Sequence, residues 1–196
     1  MPGSPERSAS ASGGFTLVEV LVALSLLMAV SIGVVSLFTV AIDAGRVARD
    51  RTMAVVLAAG KMEQLRSLEW RFELDAAGLP SPRTDLVTNL AVEPAAAGGS
   101  GLSESPSGTL DHDTPPYVDY LDRRGRWVGG GGSPPGSAVY VRRWGIHRLP
   151  VDPARVIAFE VLVTTIHAAR TRTTAGPRPW NGEDVLLTTM VTRSVR

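Results

Sequence analysis

The chain of 196 residues contains no cysteine. Disulfides, thiolate metal sites and cysteine nucleophiles are thereby excluded. Export is not, because a domain of this size can bury a core without covalent staples. An excess of charge is also lacking. The formal net charge is +1, so composition gives no electrostatic case for nucleic acid. His112, His147 and His167 lie far apart and show no ligand spacing. No nucleophile elbow, phosphate loop or paired-acid constellation is present. No catalytic residue, metal ligand or cofactor is therefore assigned, and neither nucleic acid nor a small-molecule substrate is expected as a partner.

Two local patterns invite a closer reading. Asp111, Asp113, Asp119 and Asp122 form an oxygen-rich stretch of the kind that can hold calcium. They match no fixed calcium motif, and a solvated loop is the favoured reading. Arg142 and Arg143 beside Trp144 suggest a nucleic-acid contact. Alternation along a strand accounts for them at least as well, with the two arginines on opposite faces.

What the sequence does have is one long apolar run. From Phe15 to Ile42 it reads FTLVEVLVALSLLMAVSIGVVSLFTVAI, and only Glu19 is charged. About 20 apolar residues in a helix cross a bilayer core. The run exceeds the apolar region of a cleavable secretory signal, and no small-residue cleavage site follows it. Glu19 is the exception within it. It is either a carboxylate at the membrane surface or a buried group awaiting a cationic partner, and ionisable groups inside a span are functional candidates by default.

After Ile42 the pattern turns amphipathic. Val47, Ala54, Leu57, Ala58, Leu65 and Leu68 recur at helical spacing, with Lys61, Glu63 and several Arg and Asp residues between them. Helix is expected to about Trp70, with Gly33, Gly45 and Gly60 as soft points. Residues 76–137 are rich in Gly, Pro, Ser and Asp and read as loops, with a short hairpin of Tyr117–Leu121 and Arg126–Val128 around Asp122-Arg123-Arg124-Gly125. Val139–Ile146, Val156–His167 and Val185–Val195 read as strands. Ile157, Phe159, Val161 and Val163 share one face, which is expected to pack on the helix. The fold class is α+β: a long N-terminal helix packed on a C-terminal antiparallel sheet.

The stretch Gly13-Gly14-Phe15-Thr16-Leu17-Val18-Glu19-Val20-Leu21-Val22-Ala23-Leu24 resembles the prepilin cleavage and methylation motif of type IV pilin-like proteins. The resemblance implies a pilin-like fold and a cut between Gly14 and Phe15 by a prepilin peptidase, which also N-methylates Phe15. It further implies that Glu19 meets the N-terminal amine of a neighbouring subunit during filament assembly. Each residue type suits its role. Gly14 lets the backbone lie extended in a protease cleft. Phe15 gives the mature terminus an apolar start. Glu19 offers a counter-charge where either charge buried alone is costly.

On this reading residues 1–14 are the leader, 15–42 the membrane-spanning and filament-core helix, 43–75 its amphipathic continuation, 76–137 the loop-rich segment and 138–196 the sheet. The segment from Ala58 to Leu65, with Leu68-Glu69-Trp70, resembles subunits of the minor pilin V and pseudopilin I type. The expected function is a minor pilin or pseudopilin of a type IV pilus or a type II secretion pseudopilus. The expected place is the inner membrane, in a single pass with the N-terminus in the cytoplasm and the globular part outside. The expected partners are the peptidase and other pilin subunits. The alternative is a signal-anchored periplasmic enzyme or adhesin that uses the helix only as a tether.

One feature departs from the family. The leader carries Arg7 beside Glu6 and no other basic residue, while Arg46, Arg49 and Arg51 follow the apolar run. A positive-inside count alone would place the C-terminus in the cytoplasm. The motif requires the reverse, because the peptidase acts on the cytoplasmic side. A misassigned start codon and an unusual insertion route both remain open at this point.

Overall fold

The computed structural model describes residues 14–175 and 184–195. Residues 1–13 of the expected leader, 1–14, lie outside them. The chain divides into two units, Met1–Arg46 and Val47–Arg196. One element, helix α1 (Leu17–Ser67), supplies the secondary structure described in the first and begins the second. It runs unbroken through Gly33, Gly45 and Gly60.

In the first unit every described residue is exposed. The four hydroxyl side chains after Thr16 nevertheless have partners. Ser25, Ser31 and Ser36 donate to the carbonyls of Leu21, Leu27 and Ile32 at 2.9, 2.8 and 3.0 Å, and Thr39 donates to Ser36 at 2.7 Å. Turning hydroxyls back onto their own helix leaves an outer surface with no unmet donors, as a hydrocarbon environment requires.

In the second unit α1 buries Ala54, Leu57, Ala58, Lys61, Met62 and Leu65. Their i, i+3, i+4, i+7 spacing makes one stripe. This stripe packs on a five-stranded antiparallel sheet of order β6-β5-β7-β8-β9. Its strands are β5 (Val118–Leu121), β6 (Trp127–Gly130), β7 (Tyr140–Arg148), β8 (Val156–Thr165) and β9 (Val185–Thr192). Tyr140, Trp144, Ile146, Ile157, Phe159, Val161, Val163 and Val185 meet the helix in one core. The face expected from Ile157, Phe159, Val161 and Val163 therefore packs as the alternation required. On the opposite face Val118, Tyr120 and Val141 are covered by Ile166 and Ala169. Both of these belong to helix α2 (Ile166–Ala175). The strand expected to reach His167 thus ends at Thr165, and His167 lies in that helix.

The first helix is also shorter than expected. It stops at Ser67, whose hydroxyl donates to Gln64 O at 2.8 Å. Trp70–Leu74 then form strand β1 in place of the last helical turns. Pairing overrides local propensity here: β1 lies between β2 (Pro80–Thr84), antiparallel to it, and β10 (Ser194–Val195), parallel to it. Trp70 is buried at this junction, with the Arg193 guanidinium 3.7 Å above its ring. The loop-rich segment also contains a two-stranded piece, β3 (Thr88–Asn89) with β4 (Ala96–Ala97).

The β1–β2 hairpin has a defined polarity. The backbone N–H of Asp75 donates to Leu79 O and that of Asp85 to Glu69 O, both at 2.9 Å. These bonds bracket the register Leu74↔Pro80, Phe72↔Pro82 and Trp70↔Thr84. In an antiparallel ladder those alternate positions turn their backbone N–H outward. Both prolines of β2 therefore fall where no ladder bond to β1 is lost.

Candidate functional site

Gly14, Phe15 and Glu19, the residues expected to serve processing and assembly, sit at the start of α1. Gly14 is exposed, and a Cβ built on it would meet nothing within 4 Å. The fold itself places no demand for glycine there. Phe15 is 84% exposed. Thr16 and Glu19 form a reciprocal cap: Glu19 N–H donates to Thr16 Oγ1 at 3.3 Å, and Thr16 N–H lies 3.5 Å from Glu19 Oε2. This is the capping-box pattern, in which a hydroxyl residue and a glutamate three positions later satisfy each other's backbone N–H. Glu19 also lies in the first helical turn, where the helix dipole favours a negative charge. The sequence carries this signal as Thr-x-x-Glu, set within the apolar run. The carboxylate is exposed, and an ionised carboxylate accepts at several positions. Capping one N–H leaves it able to meet a further cation.

A second polar group lies in the core of the globular unit. Lys61, the only lysine in the chain, sits on the buried stripe of α1 and not among the solvated residues where its charge suggested. Its Nζ is 2.8 Å from Asp119 Oδ2, with both side chains fully buried. It donates to Leu90 O at 2.7 Å and lies 4.3 Å from the Trp144 ring centroid. Arg142 completes the group. Its Nε and Nη2 reach the two Asp119 oxygens at 2.9 and 2.8 Å, its Nη1 donates to Leu57 O at 3.2 Å, and Nη2 also reaches Glu93 at 3.2 Å. Two cations thus share one buried carboxylate. Desolvation, opposed by Asp119 and reinforced by Arg142, brings the Lys61 ammonium down to about 8.

The structure also places the residues of the two local patterns noted in the sequence. Arg142 faces the helix, while Arg143 turns to the other face and pairs with Asp113 at 2.7 Å. Strand alternation accounts for both. Three of the four aspartates have separate partners. Asp119 is buried in the core, Asp113 holds Arg143, and Asp122 caps its own turn by accepting from the Arg124 and Arg126 amides at 2.8 and 3.0 Å.

Residues 10–35 match the family model described as the prokaryotic N-terminal methylation motif. Comparison with curated proteins and with solved structures gave no match. The matched stretch contains Gly14, Phe15 and Glu19 and runs into a helix long and apolar enough to cross a membrane. The α+β arrangement of a long N-terminal helix and antiparallel sheets, together with this motif, is consistent with a type IV pilin-like protein. It carries a prepilin-type methylation motif, which implies processing by a prepilin peptidase, assembly with other pilin subunits and a single-pass membrane anchor. The motif points to a structural subunit.

Proposed function

We propose that the chain is a minor pilin or pseudopilin, a structural subunit of a type IV pilus or type II secretion pseudopilus. It is cut after Gly14, methylated on the Phe15 amine, and held in the inner membrane with its globular part outside. The observation that carries this reading is the methylation motif, which overlaps the start of an exposed apolar helix and includes Glu19, four positions from the new terminus. A charge at that depth suits a role at the terminus itself. In an assembled filament it pairs with the α-amino group of a neighbouring subunit, offsetting the desolvation of both.

Mass spectrometry of the N-terminal peptide tests the reading. The expected species begins at N-methyl-Phe15. Gly14→Val is expected to leave full-length precursor in the membrane, because its side chain would collide with a cleft that accepts a residue without a Cβ. The open space around Gly14 means that such a block would not come from misfolding. An intact leader in cells with active peptidase would instead support a tethered enzyme or adhesin.

A further inference from the structure

The arginines after the apolar run have no place in the reading above. Arg49 and Arg51 follow Ile42 by seven and nine positions and are exposed on α1. The structure brings a second basic segment to the same part of the helix. The β5–β6 turn carries Asp122-Arg123-Arg124-Gly125-Arg126, and its three arginines are exposed.

Gly125 allows the approach. Its φ is +75°, and a Cβ there would lie 2.9 Å from Leu57 Cδ2 and 3.6 Å from Met53 Sδ. The turn is thus seated against the α1 turns just after Arg49 and Arg51. Tyr140 ties the same place from the sheet, its hydroxyl donating to Asp50 Oδ1 at 3.0 Å. Burial first, then Asp50, push that hydroxyl up to about 12, while the charge of Arg123 acts in the opposite direction. Arg123 is therefore within electrostatic reach of the Asp50 turn.

The local charges do not cancel. Asp122 is paired with Arg126 at 2.8 Å, while Asp50, held by the neutral Tyr140 hydroxyl, keeps its charge and offsets one of the remaining arginines. Among the described residues Arg49, Arg51, Arg123 and Arg124 form no ion pair with a carboxylate. Four exposed guanidiniums are thus gathered just after an apolar run with Asp50 as the one unpaired carboxylate beside them, which leaves a net positive charge. A basic segment in that position is drawn to anionic headgroups, and guanidinium matches phosphate in a fork of parallel hydrogen bonds.

We propose that Arg49, Arg51, Arg123 and Arg124 form a cationic collar that binds the phosphate groups of anionic phospholipids in the bilayer holding the apolar half of α1. The proposal rests on the membrane-anchor reading. It also gives the basic residues after the span a task other than retaining them in the cytoplasm. With their charge offset by lipid phosphate, the arginines sit at the outer surface, consistent with the orientation the motif demands.

The test uses the full chain in mixed bilayers with spin-labelled phosphatidylglycerol or phosphatidylcholine, reading the motionally restricted fraction of each by electron spin resonance. The expected result is a preference for phosphatidylglycerol of at least about threefold at low salt. It should fall towards one at about 0.5 M salt, where screening is strong. Changing all four arginines to Gln should abolish the preference, and changing all four to Lys should preserve most of it. Arg123→Gln with Arg124→Gln should remove a measurable part, and an unchanged preference in that pair would overturn the role given to the turn. Equal restriction of both lipids by the unaltered chain would overturn the collar and leave the anchor standing. No restricted lipid of either kind would overturn the anchor, and the collar with it.

Discussion

Lys61 on the helix and Asp119 on strand β5 meet at 2.8 Å, with neither side chain reaching solvent. Arg142 holds the other side of the same carboxylate. Helix, sheet and the loop carbonyl of Leu90 are therefore joined by one ionic group inside an otherwise apolar interface.

Removing one partner should cost more than the pair is worth. Asp119→Asn is expected to destabilise the globular unit by about 3–5 kcal/mol, because two buried cations would lose their counter-charge. Lys61→Met should cost less, since Arg142 still neutralises Asp119 and the methionine fills similar volume. Chemical denaturation of the two variants gives the comparison. A larger loss for Lys61→Met would mean that packing around the ammonium, and not charge balance at Asp119, holds the group together.

The pH dependence has an unusual direction. In the folded chain the Lys61 pKa is lowered from 10.5 to about 8. Between those values the unfolded chain holds the proton more tightly, so stability should rise with pH, by up to about 1.4 kcal/mol per unit. Tyr120 and Tyr140 act oppositely. Both hydroxyls are pushed above their ordinary value of 10.0, burial being the leading cause. Their contribution is therefore lost as pH climbs beyond about 10. Melting temperature should rise from pH 8 to a maximum near 10 and then fall. Lys61→Met should erase the rising limb, and a wild-type profile that falls steadily from pH 8 would refute the assignment.

A chain beginning at Asp43 is expected to be soluble and folded. It omits the exposed apolar run and retains the buried stripe from Ala54 to Leu65 with the sheet it covers. Circular dichroism should show both helix and strand. The single lysine offers a second readout. A lysine-specific endoprotease should leave the native chain intact and cut after Lys61 once it unfolds. Cleavage under native conditions would contradict the buried position of that residue.

At Glu19 two roles can be separated. Glu19→Ala removes both the reciprocal cap and the charge, whereas Glu19→Gln keeps a side chain able to complete the cap. Loss of the cap costs only about 1 kcal/mol, whereas an uncompensated buried amine costs several. Both variants should insert in the membrane and be cut after Gly14. If charge governs assembly, both should be depleted from sheared filaments to a similar degree. Normal incorporation of Glu19→Gln alone would assign the residue a helix-capping role, and normal incorporation of both would remove its assembly role.

The elements whose pattern depends on their own periodicity were legible in the sequence. The α+β class, the apolar span and the hairpin around Gly125 follow from runs, alternation and turn residues, as does the shared face of Ile157, Phe159, Val161 and Val163. What escaped depends on partners distant in the chain. Trp70–Leu74 reads as a continuation of a helix, and becomes a strand because β2 and β10 flank it. Lys61 reads as a solvated residue, since nothing nearby reveals Asp119, 58 positions away, as its counter-charge. Asp119 likewise reads as part of an acidic loop until strand pairing sets it opposite Arg142. At the helix start the Thr16–Glu19 cap was spelled out locally but masked by the more conspicuous apolar context.

The outward N–H positions of β2 bear on how the protein avoids unwanted self-association. A strand edge normally offers a template for another strand, and a copy arriving at β2 would look there for donors. At Pro80 and Pro82 it would find none. The ladder to β1 is complete on its inner side, while the outer side cannot sustain a regular one. Copies crowded together in the plane of a membrane are thus denied a route to indiscriminate sheet growth through this hairpin, and contact between them is left to surfaces with more selective chemistry.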